Sequence, residues 1–134
     1  VHGWLGPLYN NQGWTLFELG RFEEAKIQQQ KCLAWHLQHN QPAKAFIARW
    51  SLARLTRAQG QHQQALAELH QLKADMAEPE DGYLFEELGE NALVLDDPLA
   101  AEYFSRAWFL LSQDRWFSAN EGERLARLKR LAKL

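Results

Sequence analysis

Apolar residues recur every three to four positions along most of the chain, with polar and charged residues between them. This spacing is typical of helices that bury one side. Pro42 and Pro98 suit the first turn of a helix, and Gly20 and Gly60 suit the left-handed position just after a helix end. The pattern predicts helices at about residues 6–19, 22–39, 42–59, 62–77, 83–95, 98–113 and 119–133.

The connections between these helices are short, except for the acidic segment 78–82. Short links make consecutive helices antiparallel neighbours, so we expect a series of helical hairpins. Composition agrees, since 22 Leu and 18 Ala stand against two Val, two Ile and two Thr. Because strands favour β-branched residues, a sheet protein is excluded. The 134 residues are predicted to form a single all-α domain.

Small residues recur at regular distances along the predicted hairpins. Ala25, Ala65 and Ala100 are spaced by 40 and 35 residues. The helix before each of them also contains a small residue, at Gly13, Ala53 and Gly89. Glycine inside a helix costs about 1 kcal/mol relative to alanine, so Gly13 and Gly89 predict a neighbouring helix that passes close. We expect three stacked hairpins, at about residues 5–40, 42–77 and 83–113.

These repeats resemble the tetratricopeptide repeat (TPR) family, whose pattern is W-x2-L-G-x2-Y followed by A-x3-F. The segments that match are Phe85-x2-Leu88-Gly89, Ala100-x3-Phe104, Tyr9-x3-Gly13 and residues 19–25. The 40-residue first spacing is longer than the usual repeat of about 34, so the chain is similar to a bacterial-type member with one longer repeat. The resemblance implies a right-handed solenoid of hairpins with a concave groove that binds a protein or peptide and performs no catalysis.

The C-terminal segment 119–133 is predicted to be a helix that caps the open end of the solenoid. Ser118 and Glu121 fit a capping box at its start. Its apolar stripe consists of Leu125, Leu128 and Leu131. Trp116 and Phe117 are expected to pack at its base.

In the resemblance, the first helix of each hairpin lines the groove, and the residues on one face of these helices are the candidate ligand contacts. They are Asn10, Trp14, Phe17, Trp50, Arg54, Arg57, Tyr83, Glu86 and Glu90. Tryptophan and arginine are common hot-spot residues at interfaces, although Trp14 and Trp50 could equally be buried against a neighbouring hairpin.

Charge is unevenly distributed along the chain. Residues 26–73 contain seven Lys or Arg and one acid, whereas residues 74–105 contain ten acids and no Lys or Arg. A solvated surface is the ordinary explanation. The alternative is a groove with a basic aromatic half and an acidic half, which would orient a dipolar peptide.

Other functional classes have little support in the sequence. The chain lacks the common catalytic motifs, so we expect no enzyme and no cofactor. Cys32, His36 and His39 share one helix side and could hold a metal, but a buried structural role is favoured and no metal is expected. A net charge of −2 argues against nucleic acid, and no apolar run is long enough for a bilayer. A single cysteine suits a cytoplasmic protein.

The sequence leaves the partner and the wider context open. Val1 is not an initiator methionine, so we expect a fragment of a longer chain. A ligand-sensing or regulatory module of a larger protein and a self-assembling module are the alternatives to a binding scaffold. Trp4, Leu5 and Leu8 begin the first hairpin without a polar cap, which predicts a possible homodimer through the N-terminal hairpin.

Overall fold

The structure is a computed structural model that describes residues 5–76 and 80–134, with side chains from residue 11 onward in these ranges. All regular structure in these ranges is helical, which confirms the all-α prediction. The helices are α1 (Leu5–Glu18), α2 (Phe22–Gln38), α3 (Pro42–Ala58), α4 (His62–Asp75), α5 (Gly82–Val94), α6 (Ala100–Leu111), α7 (Arg115–Asn120) and α8 (Gly122–Leu131). Within this described part of the chain, no helix is both long and apolar enough to cross a membrane.

The chain divides into two compact units, unit 1 (Val1–Gln61) and unit 2 (His62–Leu134). Unit 1 contains α1 to α3, with α2 packed against both of the others. Unit 2 contains α4 to α8, with α5 packed against α4 and α6, and α8 packed against α6. Most consecutive helices therefore pack on one another within each unit, and the predicted second hairpin (42–77) has α3 in unit 1 and α4 in unit 2.

Residues in the left-handed region end several helices. Gly20 (φ +75°) and Gly60 (φ +81°) adopt this conformation, which confirms the prediction. Asn40 (φ +52°) and Asp96 (φ +56°) hold the same position after α2 and α5. A short polar side chain tolerates this region better than other side chains do. At each of these turns, the N–H of the following residue donates to a carbonyl five residues back, as Arg21 does to Leu16 at 2.9 Å.

Small residues allow the helices to approach closely. A Cβ atom on Gly13 would lie 2.6 Å from Nε2 of Gln29 on α2. A Cβ atom on Gly89 would lie 2.8 Å from the ring of Phe104 on α6. Both close approaches confirm the prediction made from glycine inside a helix. Ala53, the small residue at the matching position of α3, is buried as well.

The C-terminal segment differs from the prediction of one helix over 119–133. Asp114 starts a separate short helix, α7, because its carboxylate accepts a hydrogen bond from the N–H of Phe117 at 2.8 Å. The capping box predicted at Ser118 and Glu121 is wrong, since the Ser118 hydroxyl donates instead to the Ser112 carbonyl at 2.8 Å. Asp114, four residues before Ser118, is the N-cap in its place, and its carboxylate satisfies the free N–H of Phe117 in the first turn of α7.

Trp116 and Phe117, the two aromatic residues before α8, differ in burial. Phe117 is fully buried, as predicted, whereas Trp116 is 61% exposed, so the prediction for Trp116 is wrong. Consecutive residues in a helix point about 100° apart, and the short α7 packs only one of them inward. In α8, Leu128 is fully buried and Leu125 and Leu131 are half-buried, as the apolar stripe predicts.

Candidate functional site

Four of the predicted ligand contacts form a cluster in unit 1. Trp14 and Phe17 lie on α1, three residues apart, and Trp50 and Arg54 lie on α3, four residues apart. Residues at these spacings share one side of a helix. The ring centroids of Trp14 and Trp50 are 6.1 Å apart, and those of Trp14 and Phe17 are 5.5 Å apart in an edge-to-face arrangement. We call these four residues the aromatic–arginine cluster.

The Arg54 guanidinium is at the centre of the cluster. Its Cζ atom lies 4.8 Å from the ring centroid of Trp14, 4.9 Å from that of Phe17 and 5.6 Å from that of Trp50. Each distance is within the range of cation–π attraction, so the three ring faces stabilise the positive charge. The guanidinium is held in a defined place, and its planar fork of N–H donors suits a carboxylate.

Every member of the aromatic–arginine cluster is half-buried. The two tryptophans are therefore neither core residues nor fully exposed. Phe22, the first residue of α2, extends the cluster, with its ring centroid 5.5 Å from that of Phe17. Sequence reasoning missed Phe22, although its position directly after a predicted turn could have indicated it.

The other two predicted contacts in unit 1 are Asn10 and Arg57. Asn10 lies in α1, but its side chain is outside the described residues. Arg57 is half-buried on α3, three residues after Arg54, and thus close to the same side of the helix.

In unit 2, the predicted contacts Glu86 and Glu90 are bound by arginines of α8. Arg124 donates to both carboxylate oxygens of Glu86, with its Nε 2.7 Å from Oε2. Arg127 donates to both oxygens of Glu90, with Nη2 3.2 Å from Oε2. Glu86 is buried beneath this contact. Both carboxylates thus have cationic partners within the chain. The sequence instead predicts that they orient a ligand.

Arg124 also contacts the third predicted residue of this unit, Tyr83. Its Cζ lies 5.7 Å from the Tyr83 ring centroid and 5.0 Å from that of Phe117. The hydrogen bond to Glu86 raises the pKa of Arg124, and partial burial opposes that change. Burial raises the pKa of Tyr83, and the charge of Asp114 adds to the effect.

Sequence reasoning missed Arg124 and Arg127 as partners of the acidic residues. The available signal was spacing, since Arg124 and Arg127 are three residues apart on one helix and Glu86 and Glu90 are four apart on another. Both spacings place the two side chains on one side of their helix.

The cysteine and histidines that could hold a metal have other contacts. Cys32 is buried, and burial raises the pKa of its thiol. His36 Nδ1 lies 2.7 Å from Oε1 of Gln41, and the His39 ring stacks on Trp35 with centroids 3.9 Å apart. Across the described ranges, no group of three or more His, Cys, Asp or Glu residues is arranged to hold a metal ion.

Comparisons with protein families, curated proteins and solved structures found no match to this chain. Its function is therefore inferred from its own side chains. Among the described residues, two arrangements combine charged and aromatic groups that could bind a ligand: the aromatic–arginine cluster of unit 1 and the arginine–carboxylate pairs of unit 2.

Proposed function

We propose that the chain is a TPR-type helical-repeat domain that binds a protein or peptide partner and performs no chemistry of its own. The repeat assignment is supported by the close helix approaches at Gly13 and Gly89 and by the left-handed Gly20 and Gly60. These features occur at the positions where the family resemblance expects them.

The observation that carries the binding proposal is the aromatic–arginine cluster. It combines three half-buried rings and one guanidinium within a few ångströms of each other. Tryptophan and arginine dominate binding energy at protein interfaces because they bury large area and donate in a fixed geometry. A partner would place an acidic side chain on Arg54 and an apolar or aromatic neighbour against Trp14 and Trp50.

One interpretation of the sequence is a groove with a basic aromatic half and an acidic half. The arginine–carboxylate pairs argue against a ligand-binding role for the acidic half. Because Glu86 and Glu90 accept hydrogen bonds from Arg124 and Arg127, we assign ligand selection to unit 1. The proposed ligand is therefore an acidic, aromatic-containing segment rather than a dipolar peptide.

A peptide array probed with the full chain tests this proposal. The double variant Arg54→Glu plus Arg57→Glu should lose binding to acidic peptides, because a hydrogen bond to a charged group contributes about 1.5–3 kcal/mol. That loss corresponds to about tenfold or more in Kd. Trp50→Ala should lower the affinity for the same peptides, because it removes apolar contact area.

The matched control changes the same total charge at exposed sites of unit 1, with Lys31→Glu plus Lys44→Glu. This control should keep the peptide selection of the parent, and circular dichroism should show equal helix content in all variants. Equal selection of acidic peptides by the parent and by the Arg54–Arg57 variant would contradict the proposed site.

A further inference from the structure

The basic side of α8 meets a complementary surface on α5 and α6. We call this surface the acidic–aromatic face, and its residues are Tyr83, Glu86, Glu90, Phe104 and Trp108. Three of the four cations of α8 contact it. Besides the two arginine–carboxylate pairs, Arg127 Cζ lies 6.0 Å from the Phe104 ring centroid and Lys129 Nζ lies 5.7 Å from that of Trp108. The acidic–aromatic face therefore binds α8 through both ion pairs and cation–π contacts.

The apolar side of α8 contributes to the same contact. Leu128 is fully buried, and Leu125 and Leu131 are half-buried along its length. An amphipathic helix that places an apolar stripe on a surface and frames it with charge is a recurrent mode of peptide recognition. The chain supplies both the surface and the helix that fits it.

The link between α7 and α8 is one residue long. Glu121 alone separates the two helices, with φ −124° and ψ 42°, and its side chain does not cap α8. A Cβ atom on the next residue, Gly122, would meet open space. The preceding helix α7 also has anchors outside α8, namely the Asp114 cap and the contact of buried Phe117 with Tyr83 of α5, whose ring centroids are 5.7 Å apart. A change of backbone angles at 121–122 would therefore move α8 while α7 stays packed.

From these contacts we propose that the acidic–aromatic face is a docking site for a basic amphipathic helix, and that α8 of a second copy of this chain can occupy it. A second copy carries the identical helix, so an exchange reproduces every contact without a new surface. The chain's own α8 is tethered beside the face at high effective concentration and occupies it in a single copy. The proposal concerns unit 2 alone and is independent of the binding site proposed in unit 1.

Two charge-reversed variants of the full chain test the exchange. One carries Glu86→Arg and Glu90→Arg, and the other carries Arg124→Glu and Arg127→Glu. In each variant alone, α8 and the face that it packs on have the same sign of charge. In a mixture, α8 of one variant and the face of the other have opposite charges, so pairing is favourable only between two different chains. An equimolar mixture should form a heterodimer of twice 15.6 kDa in native mass spectrometry, and each variant alone should remain at 15.6 kDa.

Two controls separate exchange from unspecific association. A single chain that carries all four changes regains its own opposite charges and should stay at the mass of one copy. The pair Arg130→Glu and Lys133→Glu makes the same charge change at exposed C-terminal positions. That variant should not form heterodimers with the Glu86→Arg, Glu90→Arg chain. The heterodimer should also dissociate at high salt, because the arginine sides of its pairs are partly exposed and are screened.

An equimolar mixture that stays at the mass of one copy, with helix content retained in both variants, would overturn the proposal. If charge reversal at the buried Glu86 lowers the helix content in circular dichroism, that variant is set aside. The test then uses the more exposed pair alone, Glu90→Arg mixed with Arg127→Glu. A mixture of these two folded variants without heterodimers would equally overturn the proposal.

Discussion

The substitution Gly89→Ala tests whether the crossing of α5 and α6 depends on the absence of a side chain. An added Cβ would lie 2.8 Å from two ring carbons of Phe104 and 3.0 Å from a third. Phe104 is fully buried, so its ring cannot turn away into solvent. The methyl group must therefore push α5 and α6 apart or distort the Phe104 side chain.

Two opposing terms set the size of the effect. Inserting a methyl group into a packed core costs about 1–3 kcal/mol. Replacing glycine by alanine inside a helix returns about 1 kcal/mol of helix propensity. The net loss in free energy of unfolding is about 1 kcal/mol and at most about 2, which lowers Tm by roughly 4 °C per kcal/mol. Gly89→Leu adds three further carbon atoms at the same place and should lower Tm more.

Thermal unfolding followed by circular dichroism measures these changes. Gly122→Ala is the matched control, because a Cβ at that position meets open space at the start of α8. Fewer backbone states in the unfolded chain should stabilise this control by about 0.4–1 kcal/mol. If Gly89→Ala raises Tm as much as Gly122→Ala does, the close approach of Phe104 is not a constraint and the packing argument is refuted.

The remaining predictions concern protonation and helix capping. Burial raises the pKa of Cys32, Tyr83 and Tyr103, so above about pH 9 the unfolded chain releases protons that the folded chain retains. The free energy of unfolding should therefore fall as the pH rises from 8 to 11. Cys32→Ala should reduce the early part of that fall. Urea unfolding that gives the same pH profile for the parent and for Cys32→Ala would contradict the assignment to Cys32. Asp81→Ala should cost about 1 kcal/mol in thermal unfolding, because the Asp81 carboxylate accepts from the N–H groups of Tyr83 and Leu84. An unchanged Tm would show that this cap is not needed at the start of α5.

Local features of the sequence predicted much of the fold. Helix length and turn position depend on nearby residues, and Gly20 and Gly60 have the left-handed angles that their positions indicated. Gly13 and Gly89 also indicated close helix contacts, because glycine is costly inside a helix without such a reason. The solenoid arrangement and the partner remain predictions, since they depend on how repeats stack and on what binds them.

Competition between nearby signals explains the error at the C-terminus. Ser118 with Glu121 and Asp114 with Phe117 are both acceptable helix starts when each is considered alone. The structure uses Asp114, which begins α7 at Arg115 and leaves Ser118 inside that helix. A pattern over four residues cannot show that an earlier cap has already fixed the backbone.

The acidic half of the predicted groove shows why charge along a chain differs from charge in space. Residues 74–105 contain ten acids and no Lys or Arg, which leaves two interpretations, a solvated surface or the acidic half of a ligand groove. The structure brings basic side chains from the next segment onto it, pairing Arg106 with Glu80, Arg124 with Glu86 and Arg127 with Glu90. Such pairs depend on the register between distant helices, which no local pattern contains. When adjacent segments of a chain have opposite charges, ion pairs between them should be considered before a charged partner. A test of ligand binding should therefore begin with the aromatic–arginine cluster of unit 1.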